Sequence, residues 1–230
     1  MELTVLGKYG PYGKAGNGCA SGYLVCNGED SIVLDMGSGT LSKLCAAIDV
    51  KKVKHIFISH LHYDHTSDLL GFRYLLEDLS HTVNIYTHFE DSDWYNILFD
   101  HPNFNIVNID ENTVIDIGSM QLSFLPMKHT VTSYAIIIKG EKTLCYTGDT
   151  LYNENILKCF DVSDCVLADC SKPIGFNGPH MTVENAIELS KMYPDTQIIA
   201  THQSVDFDPK DALKSTSVIS AQEGTTYNIQ

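Results

Sequence analysis

The 230-residue sequence has no apolar run long enough to span a bilayer, no low-complexity tract, no linker and no block of like charge. Cations are scarce: 15 Lys and Arg stand against 29 Asp and Glu, for a formal net charge of −14. That deficit excludes a large nucleic-acid footprint, which needs clustered Lys and Arg, and it also excludes docking on an anionic membrane surface. The opening MELTVLGKYG lacks the basic stretch and apolar core of a secretory signal. The seven cysteines are odd in number and contain no C-x-x-C pair. Cys145 in TLCYTG, and Cys165 and Cys170 flanking VLAD, sit in apolar runs, where a thiol behaves as a small hydrophobe. They read as reduced thiols of a cytoplasmic protein, with neither a disulfide framework nor a thiolate zinc site.

Hydrophobic residues make up 43% of the chain and charged residues 19%, so it is a folding sequence and not a disordered one. A chain of this length buries roughly 70–75% of its unfolded surface and needs no covalent staples. With no composition shift along it, residues 1–230 read as one domain. Short β-branched and aromatic runs bounded by Gly, Asn, Asp or Ser predict strands at GYLVCN, SIVLDMG, VKHIFISH, NIYTH, NFNIVNI, MQLSFLPM, YAIIIKG, KTLCYTGD, DCVLADC and QIIATHQ. Helical spacing of apolar residues predicts helices over Leu41–Val50, Thr66–Ser80 and Val183–Tyr193, the last capped by Thr182, and a short one from Pro209. Many strands with helices before, between and after them predict an α/β fold built as a four-layer αββα sandwich.

The glycine-rich stretch Gly7–Gly18 matches neither phosphate-binding pattern. Gly13-Lys14 is followed by Ala15 where a P-loop needs Ser or Thr, and Ser21 stands where a dinucleotide fingerprint needs its third glycine. It reads as a loop between two strands, with Tyr9 and Tyr12 available to form a lip over a site.

The informative segment is IFISHLHYDH, which packs His60, His62, Asp64 and His65 into six residues at the end of an apolar run. A strand running into a tight loop aims successive side chains around one point. Imidazole and carboxylate donors suit zinc, manganese or iron. Three histidines and an aspartate buried together without a cation would be costly.

His60-Leu61-His62-Tyr63-Asp64-His65 resembles the H-x-H-x-D-H hallmark of the metallo-β-lactamase superfamily, and the rest of that family's pattern follows in order. Asp35 ends IVLDMGSG, His129 stands in LPMKHT, Asp149 in CYTGDT and His202 in IIATHQ. The resemblance implies a metallo-β-lactamase fold and two divalent metal ions, read as Zn²⁺ with Mn²⁺ or Fe as alternatives. It places His60, His62 and His129 on one ion, Asp64, His65 and His202 on the other, and Asp149 between them. Asp35 is then a supporting residue that hydrogen-bonds the HLHYDH loop. His180, in GPHMTVENA just before a helix cap and upstream of the last metal histidine, is similar to a residue of the ribonuclease Z-like branch that assists phosphodiester cleavage.

The resemblance is to short members of that branch, without the basic tRNA-binding arm. It implies a dinuclear metal-dependent hydrolase, a phosphodiesterase acting through a metal-bridging hydroxide, with Asp64 and His180 as catalytic residues. The substrate expected is a small anionic phosphodiester, a cyclic nucleotide or short oligonucleotide. Related enzymes also extend the expected partners to a second copy of the chain. The same site serves thioesterases and lactonases in other branches, and di-iron redox proteins in another, although the latter carry a carboxylate where His62 stands. His55, His81, His88 and His101 fit no ligand position and read as structural or surface residues.

Overall fold

The structure is a computed structural model that describes residues 1–16 and 18–229; Asn17, within the Gly7–Gly18 loop, lies outside them. The first half builds strands β1 (Glu2–Gly7), β2 (Gly22–Asn27), β3 (Asp30–Met36), β4 (His55–Phe57), β5 (Val83–Thr87) and β6 (Phe104–Asn108). The second half builds β7 (Val114–Ile117), β8 (Met120–Met127), β9 (Ser133–Lys139), β10 (Thr143–Tyr146), β11 (Cys165–Asp169), β12 (Gln197–Thr201) and β13 (Ile219–Ser220). The last strand, β14 (Thr226–Asn228), returns to the first sheet. Two sheets result, in the orders β14-β1-β2-β3-β4-β5-β6 and β13-β12-β11-β10-β9-β8-β7. Strands β3 to β6 run parallel, as do β10 to β13, while β7 to β10 and β1 to β3 are antiparallel.

Alternation along the strands assigns each side chain to a layer. Leu34, Phe57, Phe124, Ile136, Tyr146, Leu167 and Ile199 point between the sheets and form the central core. Their neighbours Val33, Ile56 and Ile58 face the opposite way, beneath α1 (Thr40–Ala47), α3 (Leu69–Leu79) and α4 (Asp93–Phe99), where they meet Leu44, Phe72, Leu76 and Leu98. Cys145, Val166 and Ile198 do the same on the second sheet, beneath α5 (Glu154–Val162) and α6 (Val183–Met192), against Ile156, Phe160 and Leu189. Three apolar layers between four layers of backbone make the αββα sandwich. Cys26, Cys45, Cys145, Cys159, Cys165 and Cys170 carry free thiols.

Several elements differ from the sequence reading. The predicted helix over Thr66–Ser80 is broken into the single turn α2 (Tyr63–Thr66) and α3, with Asp68 between them accepting from the backbone N–H of Leu41. The strand predicted through VKHIFISH is only three residues long, because the Ser59 N–H turns to the carboxylate of Asp35. Helices α4 and α5 begin at Ser92 and Asn153, whose side chains accept from the N–H groups of Tyr95 and Asn155. Thr182 caps α6 as read, in a reciprocal pair with Asn185. The short helix α7 (Lys210–Leu213) follows Pro209. No helix among the described residues is long and apolar enough to cross a membrane.

Candidate metal centre

The carboxyl ends of β3, β4, β8, β10, β11 and β12 open on one edge of the sandwich, where the chain leaves each strand and can aim side chains inward. His60 follows β4, His62 precedes α2, and Asp64 and His65 lie within that turn. His129 follows β8, Asp149 follows β10 and His202 follows β12. Every one of these sequence-predicted residues is brought to the same place, in two sets that share Asp149. His60, His62, His129 and Asp149 present one donor atom each within 4.8 Å of one another, and so do Asp64, His65, Asp149 and His202.

In the first set, His60 Nε2 stands 3.0 Å from His62 Nδ1, and His129 Nε2 stands 3.3 Å from that same atom. Asp149 Oδ2 lies 3.6 Å from His60 Nε2. In the second set, His202 Nε2 is 3.1 Å from Asp64 Oδ2 and 3.2 Å from Asp149 Oδ2. His65 Nε2 lies 3.4 Å from Asp149 Oδ1.

The second nitrogen of three rings is already used, and this decides which lone pair faces the centre. His129 Nδ1 donates to the carbonyl of Pro179 at 3.0 Å, and His65 Nδ1 donates to Asp35 Oδ2 at 2.7 Å. His60 Nδ1 donates to Ser59 Oγ at 3.0 Å, and that hydroxyl passes its own proton to Asp35 at 2.8 Å. A ring whose N–H is anchored to a carboxylate, carbonyl or hydroxyl presents its other nitrogen as a bare donor, the arrangement typical of histidine ligands. His65 Nε2 and Asp149 Oδ1 face each other at 3.4 Å, fully buried and without a well-formed hydrogen bond. Such atoms are expensive to leave unpaired, and together with the all-imidazole and carboxylate donor set they fit divalent cations.

The electrostatics split the two sets. Burial holds the His60 imidazole well below its ordinary value, and burial also lowers His62 and His129. For His65, burial alone would lower the value, but Asp149, Asp64 and Asp35 hold it well above normal. His202 is raised in the same way, against its burial, by Asp149, Asp64 and Asp169. Asp149 would be raised by its burial, but the histidines around it push it well below the usual carboxylate range. A concentration of buried carboxylate that draws protons onto its histidines is a place that accepts cations.

Asp35 is fully buried, in a left-handed backbone conformation at φ 55°, and accepts from Ser59 N–H, Ser59 Oγ, His65 Nδ1 and Tyr146 Oη. It thus ties the loop, one ring and the opposite sheet together. His180 sits at the cleft with its Nδ1 donating to Asp169 Oδ2 at 2.9 Å. Asp169 is the residue that sequence reasoning missed. It ends β11, is fully buried, and also accepts from the N–H groups of Thr150 and Ser171. The signal was a carboxylate closing the apolar run DCVLADC, the same pattern that singled out Asp35. Of the four histidines given no site role, three bond elsewhere: His55 to Tyr86 Oη, His81 to the Val53 carbonyl and His101 to Glu77. His88 is buried with neither ring nitrogen hydrogen-bonded.

The two clusters open into a cleft of about 200 Å³ lined by His62, Asp64, His129, Asp149, His180 and His202, with Pro11 and Tyr63 also on its wall. A larger groove of about 860 Å³, lined in part by Lys51, Lys52, Lys54, Glu29, Asp30 and Asp116, shares no residue with it. That groove mixes both signs of charge and gathers no ligand cluster among the described residues.

This fold and centre define a metal-dependent hydrolase of the metallo-β-lactamase type. The model of the Beta-lactamase superfamily domain matches residues 32–203, and the chain belongs to that family. It is 28% identical over 212 residues to the probable metallo-hydrolase YhfI of Bacillus subtilis (strain 168), covering 88% of this chain and 86% of that protein. The crystal structure of YhfI aligns with a TM-score of 0.90 at 26% identity, over 98% of both chains. The mitochondrial ribonuclease Z 2 of Schizosaccharomyces pombe is 27% identical over 223 residues, which cover 83% of this chain and 33% of that longer protein. In fold alone, the short form of human tRNase Z (ELAC1) matches over 100% of both chains with a TM-score of 0.78 at 19% identity. A diphosphatase of the PhnP family matches with a TM-score of 0.83 at 16% identity.

Proposed function

We propose that the chain is a dinuclear phosphodiesterase that hydrolyses a small phosphodiester, a cyclic nucleotide or short oligonucleotide. The observation that carries this reading is the Asp169–His180 pair at 2.9 Å, set beside the Asp149 carboxylate shared by both clusters. In this reading His60, His62 and His129 hold one ion, Asp64, His65 and His202 hold the other, and Asp149 serves both. When bound, two divalent ions, read as zinc, supply Lewis acidity and make water nucleophilic near neutral pH.

The chain's own residues do the rest. Asp35 orients His65 and, through Ser59, His60. Asp169 accepts the His180 Nδ1 proton and keeps Nε2 as the nitrogen left for substrate. A proton carried on Nε2, while Nδ1 stays bonded to Asp169, passes from the cleft wall to the departing alkoxide, and the ring takes its replacement from solvent. Two proteins that this chain resembles are named for hydrolysis at phosphorus, the yeast ribonuclease Z and the diphosphatase, which supports the assignment. The scarcity of cations in the sequence favours a small phosphodiester over a tRNA.

The test is a metal-loaded enzyme assayed against bis(p-nitrophenyl) phosphate, a dinucleotide, and a panel of thioester, lactone and β-lactam substrates. Turnover should depend on metal and be confined to the phosphodiesters. His180→Ala should lower kcat for the dinucleotide by about 10²-fold or more, and by less for the aryl ester, whose leaving group departs without a proton. Turnover of the carbonyl substrates alone, or a His180→Ala enzyme as fast as the parent on the dinucleotide, would overturn the proposal.

A further inference from the structure

The turn α2 contributes four residues, and three of them face inward: Asp64, His65 and Thr66 are buried. Tyr63 faces out and is 62% exposed, on the wall of the same cleft as His129, Asp149 and His180. Its backbone is held on both sides. Trp94 Nε1 donates to the carbonyl of Leu61 at 3.0 Å, the His65 N–H donates to the carbonyl of His62 at 3.0 Å, and Thr66 Oγ1 donates to that carbonyl at 2.9 Å. The ring is therefore carried by a fixed turn, directly between two of the proposed ligands.

Size decides where a substrate must lie. A cleft of about 200 Å³ falls below the roughly 300–1,000 Å³ of pockets that engulf a whole ligand. It has room for a phosphoryl group and its immediate substituents, so the remainder of the substrate rests on the wall and rim. No Lys or Arg is present among the described residues that line the cleft. A second phosphate therefore finds no partner there, whereas a flat apolar surface finds Pro11 and the Tyr63 ring.

We infer that Tyr63 is the specificity-determining residue of this site, stacking the planar ring of the substrate's organic group, a nucleobase, beside the phosphate. The inference rests on the phosphodiesterase reading above and names its substrate class: phosphoesters that carry a base or an aryl ring next to the reacting group. Stacking on an exposed aromatic side chain tolerates every base, because each has a π-face.

Binding of adenosine 5′-monophosphate and of ribose 5-phosphate to the metal-loaded full chain, measured by isothermal titration calorimetry, tests it without any turnover. The parent should bind the nucleotide about tenfold tighter than the sugar phosphate. Tyr63→Phe should keep that preference. Tyr63→Ala should reduce it to less than about threefold while the sugar phosphate binds as before. If Tyr63→Ala loses metal, Tyr63→Leu replaces it, since leucine keeps the bulk without the ring. Equal affinity of the parent for the two compounds, no binding of the nucleotide, or a preference retained in the ringless variant at full metal content overturns the inference. Failure of the phosphodiesterase reading shows separately, as absent turnover of bis(p-nitrophenyl) phosphate in a protein that still prefers the nucleotide.

Discussion

Gly10 lies flat against the imidazole of His202, so close that a Cβ built at position 10 would overlap the ring. The approach is held by a two-way clamp. Gly10 N–H donates to the carbonyl of Gln203 at 3.1 Å, Gln203 N–H donates to the carbonyl of Lys8 at 2.6 Å, and Lys8 Nζ donates to Gln203 Oε1 at 2.8 Å. His202 itself adopts a left-handed backbone at φ 52°. The Gly7–Gly18 loop, which in sequence reads only as a lip, is thus one wall of the second cluster, and Pro11 lines the cleft.

Replacing Gly10 by alanine must therefore displace His202. The Gly10→Ala protein should retain one tightly held metal equivalent out of two and lose at least about tenfold in activity. Metal analysis after desalting, alongside the phosphodiester assay, reads both numbers. Two full equivalents at the parental rate would show that the loop yields instead of the ring.

Asp35 gathers four donors in the core, so its removal should cost stability as well as metal. Asp35→Ala strands Ser59, His65 and Tyr146 without their acceptor. A loss of about 3–5 kcal/mol in urea unfolding is expected for breaking a buried charged partner. Metal affinity, measured by chelator competition, should fall about 10–100-fold. Asp35→Asn keeps the shape but not the charge and should fall between the parent and alanine on both scales.

The opposite protonation of the two clusters predicts different pH behaviour on loading. His60, His62 and His129 are lowered, so the first cluster meets its ion already neutral near pH 7. His65 is raised well above 6.5 and His202 is raised as well, so an ion entering the second cluster competes with protons up to a higher pH than an ion entering the first. Loading the second equivalent should release protons at neutral pH, and its affinity should rise with pH; loading the first should do little of either. The sign for the metal-free fold is the reverse. The raised pKa of His65 and His202 stabilises that fold below about 6.5, and the contribution is lost as pH rises through their folded values. Calorimetry in two buffers of different ionisation enthalpy counts the protons. Equal proton release for both equivalents would contradict the assignment.

Asp169 acts on the reaction only through His180 in this reading, and a double-mutant cycle separates that from a metal-holding role. Asp169→Asn should keep both ions and leave KM for a dinucleotide unchanged, while kcat falls by about tenfold or more. Adding it to His180→Ala should cost nothing further, because the two residues act as one unit. Loss of an ion in Asp169→Asn would instead assign this carboxylate to the metal centre, to which it lies near enough.

What could be read from the chain followed from contiguity and period. His60, His62, Asp64 and His65 are legible because a strand end and one helical turn aim them inward whatever surrounds them. The layers are legible because alternation sorts Leu34 from Val33 and Leu167 from Val166 without knowledge of the partner sheet. The capped starts of α4 and α5 were written in Ser92 and Asn153, but short amphipathic runs compete poorly with the strand pattern around them.

Asp169 and Gly10 were not legible, for a shared reason. Asp169 matters because β11 ends beside the loop that carries His180, and Gly10 matters because the loop after β1 crosses β12 nearly two hundred residues later. DCVLADC does mark a strand-end aspartate, but nothing local in that run, or in a loop glycine, names the distant partner it meets. By itself the sequence determined the donor types, their order and the faces on which they stand, which short-range geometry dictates. Only the tertiary structure decided which carboxylate holds His180, which nitrogen of each ring is free, and what closes over His202, because each depends on contacts between distant strands.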